Sequence, residues 1–373
     1  MTSLSDLPIR DNLRGLEPYG APQKHVRIAL NVNENTHGVP ADVAEDIVAS
    51  VSAAIAQIHR YPDREFTELR NSLAQYLNGE ARLNGETPGG ALVAEQIWAA
   101  NGSNEVIQQI LQAFGGPGRS VLGFPPTYSM HSIIAAGTDT AYVTGERDPE
   151  FRISPETVVR EIERTRPDLV FLCAPNNPTG TPVELDTIRA AYDATDGIVF
   201  VDEAYAEFTP TGTPSAVTLL PGRPRLLVSR TMSKAFAFAG ARVGYLAADP
   251  AVIDALRLVR LPYHLSALTQ AAAVAALRHS AEMLARVDEI KEQRDRILRE
   301  LPGLGYHGWD SHANFVLFEG VRDPHATWQR LLDEDILIRD LGIPGTLRVT
   351  AGTEEETTAF LEALARAEGS GRD

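Results

Sequence analysis

Leu169-Val170-Phe171-Leu172-Cys173-Ala174-Pro175-Asn176-Asn177-Pro178-Thr179-Gly180 sets a short apolar run against a polar turn. The run has the length and composition of a buried strand. Two prolines, two asparagines and a glycine then give a rigid, non-repeating loop. The same unit recurs on both sides. Short apolar runs at 96–99, 120–124, 140–143, 169–173, 198–201, 226–229 and 243–247 alternate with helix-like stretches at 105–114, 130–136, 155–164 and 185–192. Ser154 is placed to cap the third of these helices, and Pro155 suits its first position. Such alternation predicts an α/β domain around a mostly parallel sheet, with ligands at the carboxyl ends of its strands.

The flanks read differently. Residues 1–30 have mixed polarity and no sustained period, as in an arm. Val43, Ile47, Val51, Ala54 and Ile58 fall on one face of an expected helix, which Arg60-Tyr61-Pro62-Asp63 ends. A second helix is expected over 66–77 and a loop over 79–95. Residues 250–300 read as long and helical, and Leu301-Pro302-Gly303 ends them. Strand-like runs follow at 314–318, 336–339 and 347–350, and Thr353 and Glu356 have the spacing of a capping box for a last helix. The expected division is an arm (1–40) that contributes to the small domain, a large domain (41–255) and a small α+β domain (256–373).

Hydrophobic residues make up 43% of the 373, ample for a sizeable core. The formal charge of −16 argues against nucleic acid or an anionic membrane as partner. An anionic substrate therefore has to be held by locally placed arginines. Cys173 is the only cysteine, which excludes an internal disulfide and offers no metal cluster. No basic and apolar leader opens the chain, and no apolar run is long enough to span a bilayer. The expectation is a cytoplasmic protein with no bound metal.

Five segments carry the chemistry. Asn101-Gly102-Ser103-Asn104-Glu105 follows a strand and opens a helix, where backbone N–H groups favour an anion. Tyr128, in Pro125-Pro126-Thr127-Tyr128, is an aromatic at a strand end that could stack on a ring. The Asn176-Asn177 turn is the third. In Ile198-Val199-Phe200-Val201-Asp202-Glu203-Ala204-Tyr205, Asp202 ends a β-branched run and Tyr205 follows three residues on. Last, Ser229-Arg230-Thr231-Met232-Ser233-Lys234 precedes Arg242 and holds one of only three lysines. Each piece alone has an ordinary reading: a helix cap, a core tyrosine, a turn, a solvated lysine. Together they offer an amine, a carboxylate for a protonated pyridine nitrogen, a donor for a ring hydroxyl and a phosphate cradle. That set suits pyridoxal 5′-phosphate (PLP).

These motifs resemble the fold-type I PLP-dependent aminotransferases, and within them the histidinol-phosphate aminotransferase family. The likeness extends to Leu30-Asn31-Val32-Asn33-Glu34-Asn35, Arg60-Tyr61-Pro62-Asp63 and Leu347-Arg348-Val349-Thr350, and covers roughly residues 10–365. The resemblance implies a large mostly parallel-sheet domain with a smaller α+β domain, and a catalytic set of Lys234 (Schiff base), Asp202 (ring nitrogen) and Tyr205. It implies that Asn177 and Tyr205 hold the ring hydroxyl and Tyr128 stacks on the ring. It places Gly102, Ser103, Asn104, Thr231, Ser233 and Arg242 around the cofactor phosphate, joined by Tyr61 from the second subunit of a homodimer. Arg348, Arg339, Tyr19 and Asn33 match substrate positions.

The implied reaction is transamination between L-histidinol phosphate and 2-oxoglutarate, giving imidazole acetol phosphate and L-glutamate, in histidine biosynthesis. An aromatic amino-acid aminotransferase is the alternative, and a PLP decarboxylase or a non-catalytic PLP-binding regulator is weaker. One departure stands out: Thr36 replaces the family's usual proline after Asn33-Glu34-Asn35, and is expected to loosen that loop. The histidines match no catalytic role and read as packing or surface residues.

Overall fold

The computed structural model describes residues 6–15, 20–83 and 90–369. Its centre is a seven-stranded sheet in the order Ile97–Ala100, Gly244–Ala247, Leu226–Thr231, Ile198–Asp202, Leu169–Cys173, Ser120–Gly123, Ala141–Thr144. The strands from Ala141–Thr144 through Leu226–Thr231 pair in parallel; Gly244–Ala247 runs against both its neighbours. Parallel neighbours need a long crossover, usually a helix. Residues 232–243 lack one, holding only the short 3-10 turn Ala239–Ala241, so the chain returns antiparallel. That connection leaves Lys234 and Arg242 at the carboxyl end of Leu226–Thr231.

The inner strands Leu169–Cys173, Leu226–Thr231 and Gly244–Ala247 are buried along their whole length, as sheets covered on both faces require. The Ser154 cap forms as read, accepting from the Thr157 amide at 3.1 Å. The C-terminal part holds an antiparallel sheet in the order Thr346–Thr350, Phe315–Glu319, His307–Gly308. In the N-terminal segment, Ile28–Ala29 pairs in parallel with Ile336–Leu337. The buried apolar residues form two clusters. One runs from Val43 to Met283; the other joins Ile28 and Leu30 to residues 205–364.

Two expectations need correction. The stretch 250–300 is four helices, Pro250–Val259, Ala267–Arg278, Ser280–Leu284 and Val287–Glu300. Pro262 and the Ser266 cap, which accepts from the Thr269 amide at 3.0 Å, account for the first break. A helix at Pro324–Asp333, capped by Asp323, fills the gap between two expected strand runs, where no element had been assigned. The last helix does begin with the Thr353–Glu356 box: Glu356 Oε2 accepts from Thr353 N at 2.8 Å and Glu356 N donates to Thr353 Oγ1 at 3.2 Å.

Side chains alternate across Leu226–Thr231, so Arg230 faces away from Ser229 and Thr231. It is buried, with Glu80 at 2.5 Å, Glu203 at 3.0 Å and Glu207 at 3.5 Å. Burial raises the Glu207 carboxyl pKa against the pull of Arg230. Arg230→Met would strand these carboxylates without their cation. It is expected to destabilise the fold by about 3–5 kcal/mol, read from the shift of the denaturant midpoint.

Candidate active site

A cavity of about 680 Å³ opens at the carboxyl ends of Leu169–Cys173, Ile198–Asp202 and Leu226–Thr231. Lys234 reaches it from the loop after the last of these. Its Nζ donates to the Val32 carbonyl at 2.9 Å. Burial, then Arg348, and further Arg242, bring its pKa down to about 8, while Glu34 opposes them. A buried cation loses solvation, and like charges nearby add to that cost. The amine is therefore partly neutral near neutral pH, as a nucleophile or base must be.

Asp202 lies at its strand's last position and is buried. Its Oδ2 meets His131 Nε2 at 3.2 Å, and its Oδ1 accepts from Ser229 Oγ at 3.3 Å. His131 is a residue that sequence reasoning missed. It does pack, edge-on to Tyr128, Phe171 and Phe200, but its ring also contacts the site carboxylate. The available signal was spacing: His131 lies three residues after Tyr128, at the start of the helix Met130–Gly137, so one turn serves both. His131→Phe keeps the packing and removes the contact. It is expected to lower kcat about tenfold, the scale on which partners of site ligands act; steady-state rates alongside an unchanged circular dichroism spectrum would measure this.

The Tyr205 hydroxyl accepts from Asn33 Nδ2 at 2.9 Å and from Asn177 Nδ2 at 3.3 Å. Burial holds the phenol well above its usual pKa, so it stays a donor. Asn177 Oδ1 accepts from Arg348 Nη1 at 2.5 Å, and Arg348 Nη2 donates to the Asn31 carbonyl at 3.0 Å. The rigid turn thus fixes both the tyrosine and the arginine. Arg339 pairs with Arg348 through reciprocal backbone bonds of 2.9 Å, lines the same cavity, and leaves Nη1 buried without a partner among the described residues.

At the other end of the cavity, Gly102 precedes the helix Ser103–Phe114 with φ 83°. A Cβ there would lie 2.3 Å from Arg242 Nη2, so only glycine lets the guanidinium close on the helix start. Arg242 Nη1 donates to Ser233 Oγ at 3.2 Å, and Thr231 Oγ1 to Ser233 Oγ at 3.0 Å. A helix N-terminus, hydroxyls and an arginine make a dianion cradle. Tyr128 hydroxyl donates to Asn104 Oδ1 at 3.0 Å, which holds the ring over the cavity edge. The donor set fits PLP: a free amine, a carboxylate, a hydroxyl donor and a phosphate cradle share one cavity.

Of the expected residues, Tyr61 is not brought into this cavity by its own chain. Tyr61 is 80% exposed and stacks on Tyr263, with centroids 4.4 Å apart, on the outer surface. Tyr19 lies outside the described residues. The loop at Thr36, expected to be loosened, carries hydrogen bonds of its own. Thr36 Oγ1 donates to Glu356, Asn35 Nδ2 to the Ala235 carbonyl at 3.0 Å, and His37 N to Asn35 Oδ1 at 2.9 Å. Cys173 is buried, and burial raises its thiol pKa, as befits an unreactive core residue.

Comparison with known proteins decides the family. The model of aminotransferase class I and II matches residues 26–364. The chain belongs to this family of PLP-dependent transferases. The histidinol-phosphate aminotransferase of Paenarthrobacter aurescens is 61% identical over 364 residues, covering 97% of this chain and 95% of that one. That of Mycolicibacterium smegmatis is 54% identical, covering 99% and 95%. Among solved structures, histidinol-phosphate aminotransferase from Sinorhizobium meliloti in complex with pyridoxal-5′-phosphate superposes with TM-score 0.83 at 24% identity, covering 97% of this chain and 98% of that one. At that identity the structural likeness establishes the fold: α/β, fold-type I. Among the described residues no helix is long and apolar enough to cross a membrane, and no metal-binding group of His, Cys, Asp or Glu occurs.

Proposed function

We propose that this aminotransferase exchanges the amino group between L-histidinol phosphate and 2-oxoglutarate, with PLP held by Lys234, Asp202, Tyr205 and the Gly102–Arg242 cradle. The observation that carries this reading is that Arg339 and Arg348 converge on the cavity holding the Lys234 amine, with Arg339 Nη1 buried and unpartnered among the described residues. When bound, PLP supplies an aldehyde that captures amines and a ring that accepts electron density from the substrate α-carbon.

The protein's part follows from its geometry. Asp202, fixed by His131 and Ser229, holds a proton at the ring nitrogen. Tyr205 and Asn177 set the ring hydroxyl. Lys234 would anchor the aldehyde and, as a neutral amine, would take a proton from the substrate α-carbon, for which its lowered pKa suits it. Arg348 grips the carboxylate of glutamate or the phosphate of histidinol phosphate through its fork, and Arg339 adds contacts for the phosphate.

Arg339→Ala is expected to cut kcat/KM for histidinol phosphate about tenfold or more, the worth of a charge-assisted hydrogen bond, and to harm glutamate less. Equal losses with both donors would contradict the phosphate role. The reading as a whole is tested by a donor panel with purified protein and added PLP. Faster turnover of histidinol phosphate than of phenylalanine supports it; the reverse order favours an aromatic aminotransferase.

A homodimer is part of the proposal. Tyr61 stacks on Tyr263 amid exposed apolar side chains, Leu258 at 87% and Leu261 at 73%, a surface suited to a second copy. Tyr61 then reaches the partner's cofactor phosphate. A monomer by sedimentation at assay concentration would contradict this.

A further inference from the structure

The described residues that line the cavity include two acids, Glu34 and Asp202, against Lys234, Arg242, Arg339 and Arg348. Asp202 is buried and engaged by His131 and Ser229. Glu34 is exposed and forms no hydrogen bond or ion pair with a described residue. It is therefore the carboxylate free to meet a substrate. Its neighbours place it. The Val32 carbonyl takes the Lys234 amine, and the Asn33 side chain, on a left-handed backbone with φ 58°, donates to Tyr205. Residue 34 is next in the chain, and its charge is felt at Nζ.

A carboxylate at this place is a cost for dicarboxylate substrates, whose second anion it repels. It needs a partner that donates. With the substrate amine at Lys234 and the phosphate at Arg339 and Arg348, the imidazole of histidinol phosphate is left over, and its ring N–H is the donor it offers. We propose that Glu34 is a specificity-determining residue that accepts a hydrogen bond from the imidazole N–H of the amino donor. This assignment rests on the function proposed above and deepens it. A phenyl side chain offers no N–H and would desolvate the carboxylate without return, so Glu34 discriminates against aromatic donors of similar shape.

The test uses two amine-free ligands that cannot react, 3-(imidazol-4-yl)propyl phosphate and 3-phenylpropyl phosphate, titrated calorimetrically into PLP-loaded wild type, Glu34→Gln and Glu34→Ala. Wild type is expected to prefer the imidazole ligand about tenfold or more, the yield of a hydrogen bond to a charged acceptor. The preference shrinks in Glu34→Gln and vanishes in Glu34→Ala. An undiminished preference in Glu34→Ala overturns the assignment. Turnover of histidinol phosphate by the wild type separates the two claims. If the wild type turns it over and the preference is indifferent to residue 34, only the role of Glu34 falls; if the wild type does not use histidinol phosphate, both fall.

Discussion

Lys234→Ala is expected to abolish transamination, lowering kcat by about 10⁴-fold or more, since it removes a general base along with the covalent anchor. The same variant should lose the long-wavelength absorption that PLP gains when an amine captures its aldehyde. Neither loss should come from unfolding, because among the described residues Nζ makes a single hydrogen bond, to the Val32 carbonyl. The pH dependence of attachment follows from the lowered pKa. Only the neutral amine attacks an aldehyde, and the neutral fraction grows as pH rises through about 8. Capture of PLP by the cofactor-free wild type is therefore expected to accelerate from pH 6 to pH 8 and then level off. For an ordinary exposed lysine it would keep rising towards a pH of about 10.4.

Asp202→Asn carries the second-largest effect. An amide occupies the same volume and can still accept from Ser229, but it brings no charge to hold the ring nitrogen protonated. Loss of that electrostatic stabilisation is expected to cost about 10²–10³-fold in kcat, with little change in the melting temperature. Buried carboxylates are costly to desolvate, and Asp202 is accompanied by His131 and Ser229 at 3.2 and 3.3 Å. Rates measured with histidinol phosphate and with glutamate should fall together, because Asp202 serves the ring and neither substrate. A loss confined to one donor would place Asp202 in substrate recognition instead.

Much of this site was legible because α/β strands announce their ends. Asp202 closes an apolar run, the Asn176-Asn177 turn closes another, and Lys234 follows a third; each sits where a parallel sheet gathers ligands. What escaped was set by contacts distant in sequence. His131 reads as a packing residue until the fold brings its ring to Asp202, 71 residues away. Nothing local in the sequence marks Glu80, Glu203 and Glu207 as partners of one cation; the fold buries Arg230 among them. Thr36 reads as a lost proline because its bond to Glu356 spans 320 residues. The helix Pro324–Asp333 was missed for a local reason. Its cap, Asp323 before Pro324, was available, but strand-like runs on either side drew the reading. Tyr61 shows the opposite limit: its position is clear, and its stacking on Tyr263 at the outer surface leaves its expected role to a second copy.

The central claim is that Lys234 is the amine that captures PLP. Borohydride reduction of the PLP-loaded protein, followed by proteolysis and mass mapping, tests it directly, since the chain offers only Lys24, Lys234 and Lys291 as alternatives. The account predicts one pyridoxyl group per chain, on the peptide containing Lys234. Label on Lys24 or Lys291 with Lys234 unmodified would contradict it.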